Sequence, residues 1–149
     1  MRALIQRVSQ ASVTIEGQLH GQIGAGLLVL LGIAPDDTHA DIDWLIRKIT
    51  LLRIFNDADG KMNHSVQDID GGLLVVSQFT LFADSKKGNR PSYTKSAPPS
   101  IAIPLYEAFL SQLRTQFQGQ IGTGVFGADM KVALLNDGPV TIMLDSREG

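Results

Sequence analysis

A hydrolase that works through side chains needs a nucleophile and a base able to take its proton, and bases are scarce in this chain. Its histidines are His20, His39 and His64. Each falls in a predicted turn or at a predicted helix start, and their spacing suggests neither a Ser-His-Asp set nor a metal cluster. Surface residence is the plain reading of all three. Cysteine is absent, which removes thiolate nucleophiles, disulfides and cysteine-held zinc together. Ser77 and Thr80 supply hydroxyls on a predicted strand, where such groups more often pack or bond locally than attack. With no base identifiable beside them, the residues alone describe a globular domain without a conventional catalytic set.

Two further patterns invite a sharper reading. Gly122, Gly124 and Gly127 match G-x-G-x-x-G. A phosphate-binding version needs a strand before and a helix after, and here a predicted helix precedes and a strand follows, so turns or close backbone approach explain the glycines better. Asn136-Asp-Gly-Pro139 reads plainly as a reverse turn between strands. Its sharper reading is a rigid element presenting backbone carbonyls, and a cis Gly138-Pro139 peptide would point two of them the same way. The general cis frequency of about 5–6% for X-Pro bonds favours trans on the letters alone.

The elements that must position these residues follow from periodicity. Arg2 to Ser9 and Ser12 to Glu16 read as strands, with turns at Glu16-Gly17 and His20-Gly21. Gly26 to Ala34 is apolar on both faces and belongs deep in the core. Thr38 with Asp41 approximates a capping box for a helix from about Ala40 to Leu51, whose buried stripe is Ile42, Leu45, Ile46 and Ile49, with Trp44 near its edge. Arg53 to Asn56 is a short strand ending in the turn-forming Asp57-Ala-Asp-Gly60, which lacks the spacing of a calcium loop. Leu73 to Phe82 gives the strongest strand signal in the middle of the chain. Pro98-Pro99-Ser100 opens a second helix carrying Leu105, Phe109, Leu113 and Phe117, and Met130 to Leu135 pairs with Val140 to Leu144.

With 149 residues, 44% of them hydrophobic, the chain suits one compact domain over 1–149. Its longest apolar stretch falls far short of the roughly 20 residues of a membrane span, and no secretory layout opens it, so a soluble, cytoplasmic protein is expected. A formal net charge of -2 argues against nucleic-acid binding through a field spread over the whole surface. Any RNA contact must be local, and the best candidate is Lys86, Lys87, Arg90 and Lys95, with Tyr93 among them as a stacking or packing group. Such a cluster taken alone is more often a solvated loop.

Ser77-Gln-Phe-Thr-Leu81 together with Asn136-Asp-Gly-Pro-Val-Thr141 resembles the paired signature of the D-aminoacyl-tRNA deacylases. The opening Met1-Arg-Ala-Leu-Ile-Gln-Arg-Val8, the Lys87-Gly-Asn-Arg-Pro-Ser-Tyr93 loop and Gly124-Val-Phe-Gly-Ala-Asp-Met130 are similar to that family too, so the resemblance spans nearly the whole chain. It implies an α+β fold, a barrel-like β domain with flanking helices acting as a homodimer, and no cofactor or metal. It implies a substrate as well: the ester between the 3′-terminal adenosine of tRNA and a D-amino acid or glycine. By the same resemblance, Ser77, Gln78, Phe79 and Thr80 line the catalytic pocket and offer main-chain amides. Gly138 and Pro139 form a cis pair that completes the partner subunit's pocket. Arg7 holds the Gly-Pro orientation, Met130 belongs to the adenosine-facing wall, and Lys86, Lys87 and Arg90 are candidates to meet the tRNA.

The family picture accounts for the missing base. The ester carbon is already activated and the ribose 2′-hydroxyl lies beside it, so the protein can contribute orientation and amide dipoles while the RNA assists the chemistry. Three rivals remain open. Thr80 could be a covalent nucleophile on the same substrate, the chain could be a non-catalytic RNA- or nucleotide-binding dimeric module, or it could be a related family member with a trans Gly138-Pro139 peptide and different amino-acid selectivity.

Overall fold

A computed structural model describes residues 1–149 and orders the chain as β1 (Arg2–Ile15), β2 (Gln18–Ile23), β3 (Gly26–Gly32), α1 (His39–Leu51), β4 (Phe55–Asn56), β5 (Met62–His64), β6 (Gly72–Ser77), a 3-10 turn (Phe79–Phe82), α2 (Pro99–Gln116), β7 (Ile121–Thr123) and β8 (Lys131–Asp145). The main sheet runs β2-β1-β3-β6-β7, and β8 pairs along β1. The ends of this path meet. At Gly21 of β2 an added Cβ would sit 2.8 Å from the Thr123 carbonyl oxygen of β7, so the sheet curls into a nearly closed barrel. With two helices outside it, the fold is the expected α+β arrangement.

Alternation along the strands explains the two cores. Side chains of a strand point to opposite faces in turn, so a strand with no polar face must be covered on both sides. Strands β3 and β6 lie parallel and do this: Leu27, Val29, Leu31, Leu73 and Val75 join the helix-side core, while Leu28, Leu74 and Val76 join a second core. The helix-side core is closed by Ile42, Leu45, Ile46 and Ile49 of α1 and by Ala102, Tyr106, Phe109 and Leu113 of α2. The capping box forms as read, with Thr38 accepting from the Ala40 amide and Asp41 accepting from the Thr38 amide.

Several boundaries differ from the sequence expectation, each for a local reason. The two opening strands are one, because an irregularity between Val8 and Gln10 admits an extra residue and keeps Val8, Ala11 and Val13 in the second core. His20-Gly21 lies within β2 rather than in a turn. The middle strand stops at Ser77, and Phe79 to Phe82 coil into the 3-10 turn. The last two strands are also one: β8 runs antiparallel to β1 throughout, and Asn136 to Pro139 do not reverse it. No helix is long and apolar enough to cross a membrane.

Candidate active site

A cleft of about 270 Å³ opens where the parallel strands β3 and β6 end. Ser77, Gln78 and Phe79 line it together with Leu31, Ile33 and the segment Phe126 to Met130. The lining is mainly apolar with a few polar groups, the usual makeup of a small-molecule site. Of the expected pocket residues, Met130 lines this cleft with the first three, while Thr80 lies just beyond in the turn.

The turn is held from several directions. The Gln78 amide donates to the Leu31 carbonyl at 2.8 Å. Gly32 allows the turn to settle on β3, since a Cβ there would come 3.1 Å from Leu81 Cβ and 3.2 Å from the Gln78 carbonyl oxygen. Arg2 clamps the far end: its Nη1 donates to the Leu81 carbonyl at 2.8 Å, and its guanidinium lies 4.5 Å from the Phe82 ring centroid. Its Nε pairs with Asp145 at 3.0 Å. Burial tends to raise the Asp145 pKa, but hydrogen bonds from the Arg147 amide and Arg2, with the Arg2 charge, hold it below the ordinary value. Nothing in the sequence separates Arg2 from any arginine that opens a strand, so this clamp was not legible there. At the near end of the turn, the first amides, those of Phe79 and Thr80, cannot find acceptors inside it.

The side chains around the cleft supply no base for a hydroxyl. Thr80 Oγ1 accepts from the Gln78 side-chain amide, which is no proton acceptor. His20, His39 and His64 are all exposed, on β2, at the start of α1 and on β5, and none lines the cleft. Asp129 is the one carboxylate in the lining; its side chain is 82% exposed and is paired with Lys131 at 3.1 Å. Tyr106 stands behind Phe126 with its phenol donating to the Val75 carbonyl at 3.2 Å, and burial pushes its pKa up to about 12. It stays protonated.

The second signature segment lies elsewhere. Opposite the single residue Arg7, between the pairs Val8–Asn136 and Gln6–Thr141, β8 carries Asp137, Gly138, Pro139 and Val140, so the chain bows out of the ladder. Arg7 is buried and braces the bow, donating from Nε to the Asp137 carbonyl and from Nη1 to the Ile54 carbonyl, each at 2.8 Å. Asn136 closes its base by accepting from the Val140 amide at 3.1 Å. Gly138 has φ +145, and a Cβ there would meet Val140 Cγ2 at 2.8 Å and Arg7 Nη2 at 3.1 Å, so glycine is required. The Gly138–Pro139 peptide is cis, against the frequency-based expectation of trans. Both residues are exposed, and neither lines this chain's own cleft.

Lys86, Lys87 and Arg90 are exposed on the loop between the turn and α2. Asp84 organises that loop, bonding through its backbone to Ser92, accepting from the Lys86 amide at 3.0 Å and pairing with Lys95 at 3.2 Å. These partners, the Lys86 amide foremost, hold its carboxyl below the usual range. The three glycines after α2 serve structure. Gly122 lies in β7 against Leu74, a Cβ at Gly124 would push on the Met130 side chain, and Gly127 turns the chain with φ +80.

Residues 4–145 match the model of the family described as D-Tyr-tRNA(Tyr) deacylase. The chain belongs to that family. A D-aminoacyl-tRNA deacylase of Flavobacterium johnsoniae is 63% identical over 147 residues, covering 99% of this chain and 98% of the relative. One of Parabacteroides distasonis is 59% identical with the same coverage. Among solved structures, a c-Myc DNA unwinding element binding protein superposes with a TM-score of 0.92 at 45% identity, over 97% of this chain and 98% of that one. A probable eukaryotic D-amino acid tRNA deacylase superposes with a TM-score of 0.81 over 96% and 97%, and at 16% identity it speaks for the fold alone.

Proposed function

We propose that this chain hydrolyses the ester joining a D-amino acid to the 3′-terminal adenosine of tRNA, releasing both. The observation that carries this reading is a cleft walled by the Ser77–Phe79 segment and apolar side chains with no histidine in reach. Such a site suits a substrate that brings its own reactivity. A water oxygen attacks the ester carbon, the amides of Phe79 and Thr80 stabilise the oxyanion, and the bond to the ribose 3′-oxygen breaks. That oxygen takes up one proton of the water, and the other passes to solvent as the amino acid leaves with a carboxylate. The neighbouring 2′-hydroxyl positions the water, and Met130 packs on the adenosine. Lys86, Lys87 and Arg90 meet tRNA phosphates, a local contact consistent with the chain's weak overall charge. The chain acts as one deacylase domain over 1–149, in the cytoplasm, without a cofactor.

The working unit is a homodimer. The outer edge of β8 has no strand partner, and Leu134, Leu135 and Met143 on that strand are 37%, 58% and 48% exposed. A two-fold pairing there would carry each bow into the other copy's cleft. Backbone carbonyls of the Gly138–Pro139 bow then accept hydrogen bonds from the substrate ammonium and leave room for hydrogen or a D side chain, while an L side chain strikes the wall. Glycine passes because it has no side chain to exclude, so glycyl-tRNA, including glycine mischarged on an alanine tRNA, is also a substrate. The test is deacylation of matched D-tyrosyl-, L-tyrosyl- and glycyl-tRNA, with sedimentation to give the oligomeric state. Loss of the D and glycyl esters by a dimer, with the L ester intact, is expected; brisk L hydrolysis or an active monomer overturns the filter.

One observation favours a second reading, a non-catalytic nucleic-acid-binding module: the relative of 45% identity is named for binding a DNA element. That reading requires tight binding of tRNA or DNA with every ester intact.

A further inference from the structure

Two aromatic rings stand exposed beside the cleft. Phe79 is 54% exposed and Tyr93 40%, and they meet edge to face with centroids 5.0 Å apart at 71°. Large aromatic side chains seldom stay open to water without a partner. Tyr93 is also held in place rather than merely solvated. Its carbonyl accepts from the Ser96 amide at 3.0 Å, and its neighbour Ser92 exchanges two backbone hydrogen bonds with Asp84, each 2.8 Å. Lys95, two residues further on, pairs with the Asp84 carboxylate at 3.2 Å. Ser96 and Ala97, just beyond, line the cleft, while Lys86, Lys87 and Arg90 project from the same loop. An aromatic face held next to a pocket, with cations on the adjoining loop, is how proteins hold single-stranded nucleic acid: bases stack on the rings and phosphates meet the cations.

We infer that Tyr93 is a stacking site for the nucleobase that precedes the terminal adenosine, the penultimate cytidine of the tRNA. The inference rests on the deacylase reading, which places the terminal nucleotide in the cleft. Phe79 belongs to the cleft wall, and its edge contact sets the tilt of the Tyr93 ring. The terminal base occupies the cleft, so the next base along the strand is the first one free to reach a ring outside it. Stacking is indifferent to base identity, so the site reads the presence of a base and serves every tRNA alike.

The experiment compares D-tyrosyl-tRNA, the same tRNA with the penultimate base removed, and D-tyrosyl-adenosine, which has no second nucleotide. Tyr93→Ala should lower kcat/KM on D-tyrosyl-tRNA by roughly 5- to 150-fold, chiefly through KM, the range that loss of one base–aromatic stack allows. It should leave D-tyrosyl-adenosine within about twofold of the parent. Removing the base should cost the parent a similar factor and cost Tyr93→Ala nothing further, and Tyr93→Phe should restore the parent where Tyr93→Leu does not. An equal loss on D-tyrosyl-adenosine, additive losses in the cycle, or a leucine as good as phenylalanine overturns the site. So does a Tyr93→Ala protein that sediments as a monomer beside a dimeric parent, which would assign the ring to a subunit interface. A parent inactive on both esters defeats the deacylase reading instead. Equilibrium binding of the trinucleotide CCA and its middle-abasic analogue to parent and variant then decides the stack: a base-dependent difference confined to the parent supports it, and its absence rejects it.

Discussion

Arg7 and Asp137 are joined by a 2.8 Å hydrogen bond from the Arg7 Nε to the Asp137 backbone carbonyl, at the point where β8 bows away from β1. The same guanidinium holds the Ile54 carbonyl, so one buried side chain ties the bow to the chain segment after α1. A planar donor fork suits two acceptors at once, which a lysine cannot reproduce.

Arg7→Lys should therefore keep the fold and weaken the bow. Losing hydrogen bonds from a charged donor to buried carbonyls costs about 1–3 kcal/mol of stability. If the bow forms the partner's wall, D-tyrosyl-tRNA hydrolysis should fall by up to about 100-fold, the scale of a small misplacement in a catalytic site. Thermal unfolding and kcat/KM measured on one preparation check both. A destabilised Arg7→Lys protein with undiminished turnover would detach the bow from the reaction.

Thr80→Ala and Asp129→Asn should each keep hydrolysis within about tenfold of the parent, since a general base contributes about 10²–10⁴-fold. Thr80 bonds to an amide and Asp129 to a lysine, and the Thr80 main-chain amide survives its substitution. Single-turnover rates decide the matter. A collapse in Thr80→Ala with a trapped acyl adduct on Thr80 of the parent would establish covalent catalysis, and a collapse in Asp129→Asn would make that carboxylate the base.

Asp145 should contribute an acid-sensitive part of stability. Its folded pKa lies below the unfolded value of 3.8, so the stabilisation is present above that value and is lost as pH falls through the folded one. Asp145→Asn removes the titration. The gap in melting temperature between parent and variant should be widest near neutral pH and narrow progressively below about 4. A gap independent of pH would contradict the pairing with Arg2.

Much of this was legible because local signals agreed with the tertiary context. The Thr38–Asp41 cap and the apolar stripe of α1 are read from side-chain types alone, and the two-faced run after Gly26 could only be central. Where reading failed, long-range pairing decided. Asn136 to Pro139 has turn chemistry, yet β1 pairs with β8 on both sides of it, and the ladder turns a would-be reversal into a bow. Phe79 to Phe82 has strand composition, but Arg2 and Gly32, distant in sequence, give its carbonyls and side chains a place only when coiled. Ser77, Gln78, Phe79 and Met130, singled out by the family resemblance, line one cleft, whereas Ile33, Ala97 and Phe126 of the same cleft carry no chemical signal in the letters.

In the proposed mechanism the cleft orients an ester whose own ribose assists its hydrolysis. The most direct test is single-turnover hydrolysis of D-tyrosyl-tRNA ending in adenosine against the same tRNA ending in 2′-deoxyadenosine, with binding measured in parallel. The deoxy substrate should bind nearly as well and react at least about 100-fold more slowly, the scale of a lost general acid–base group. Hydrolysis of the deoxy ester at close to the normal rate would contradict that mechanism and return the chemistry to a side chain of the protein.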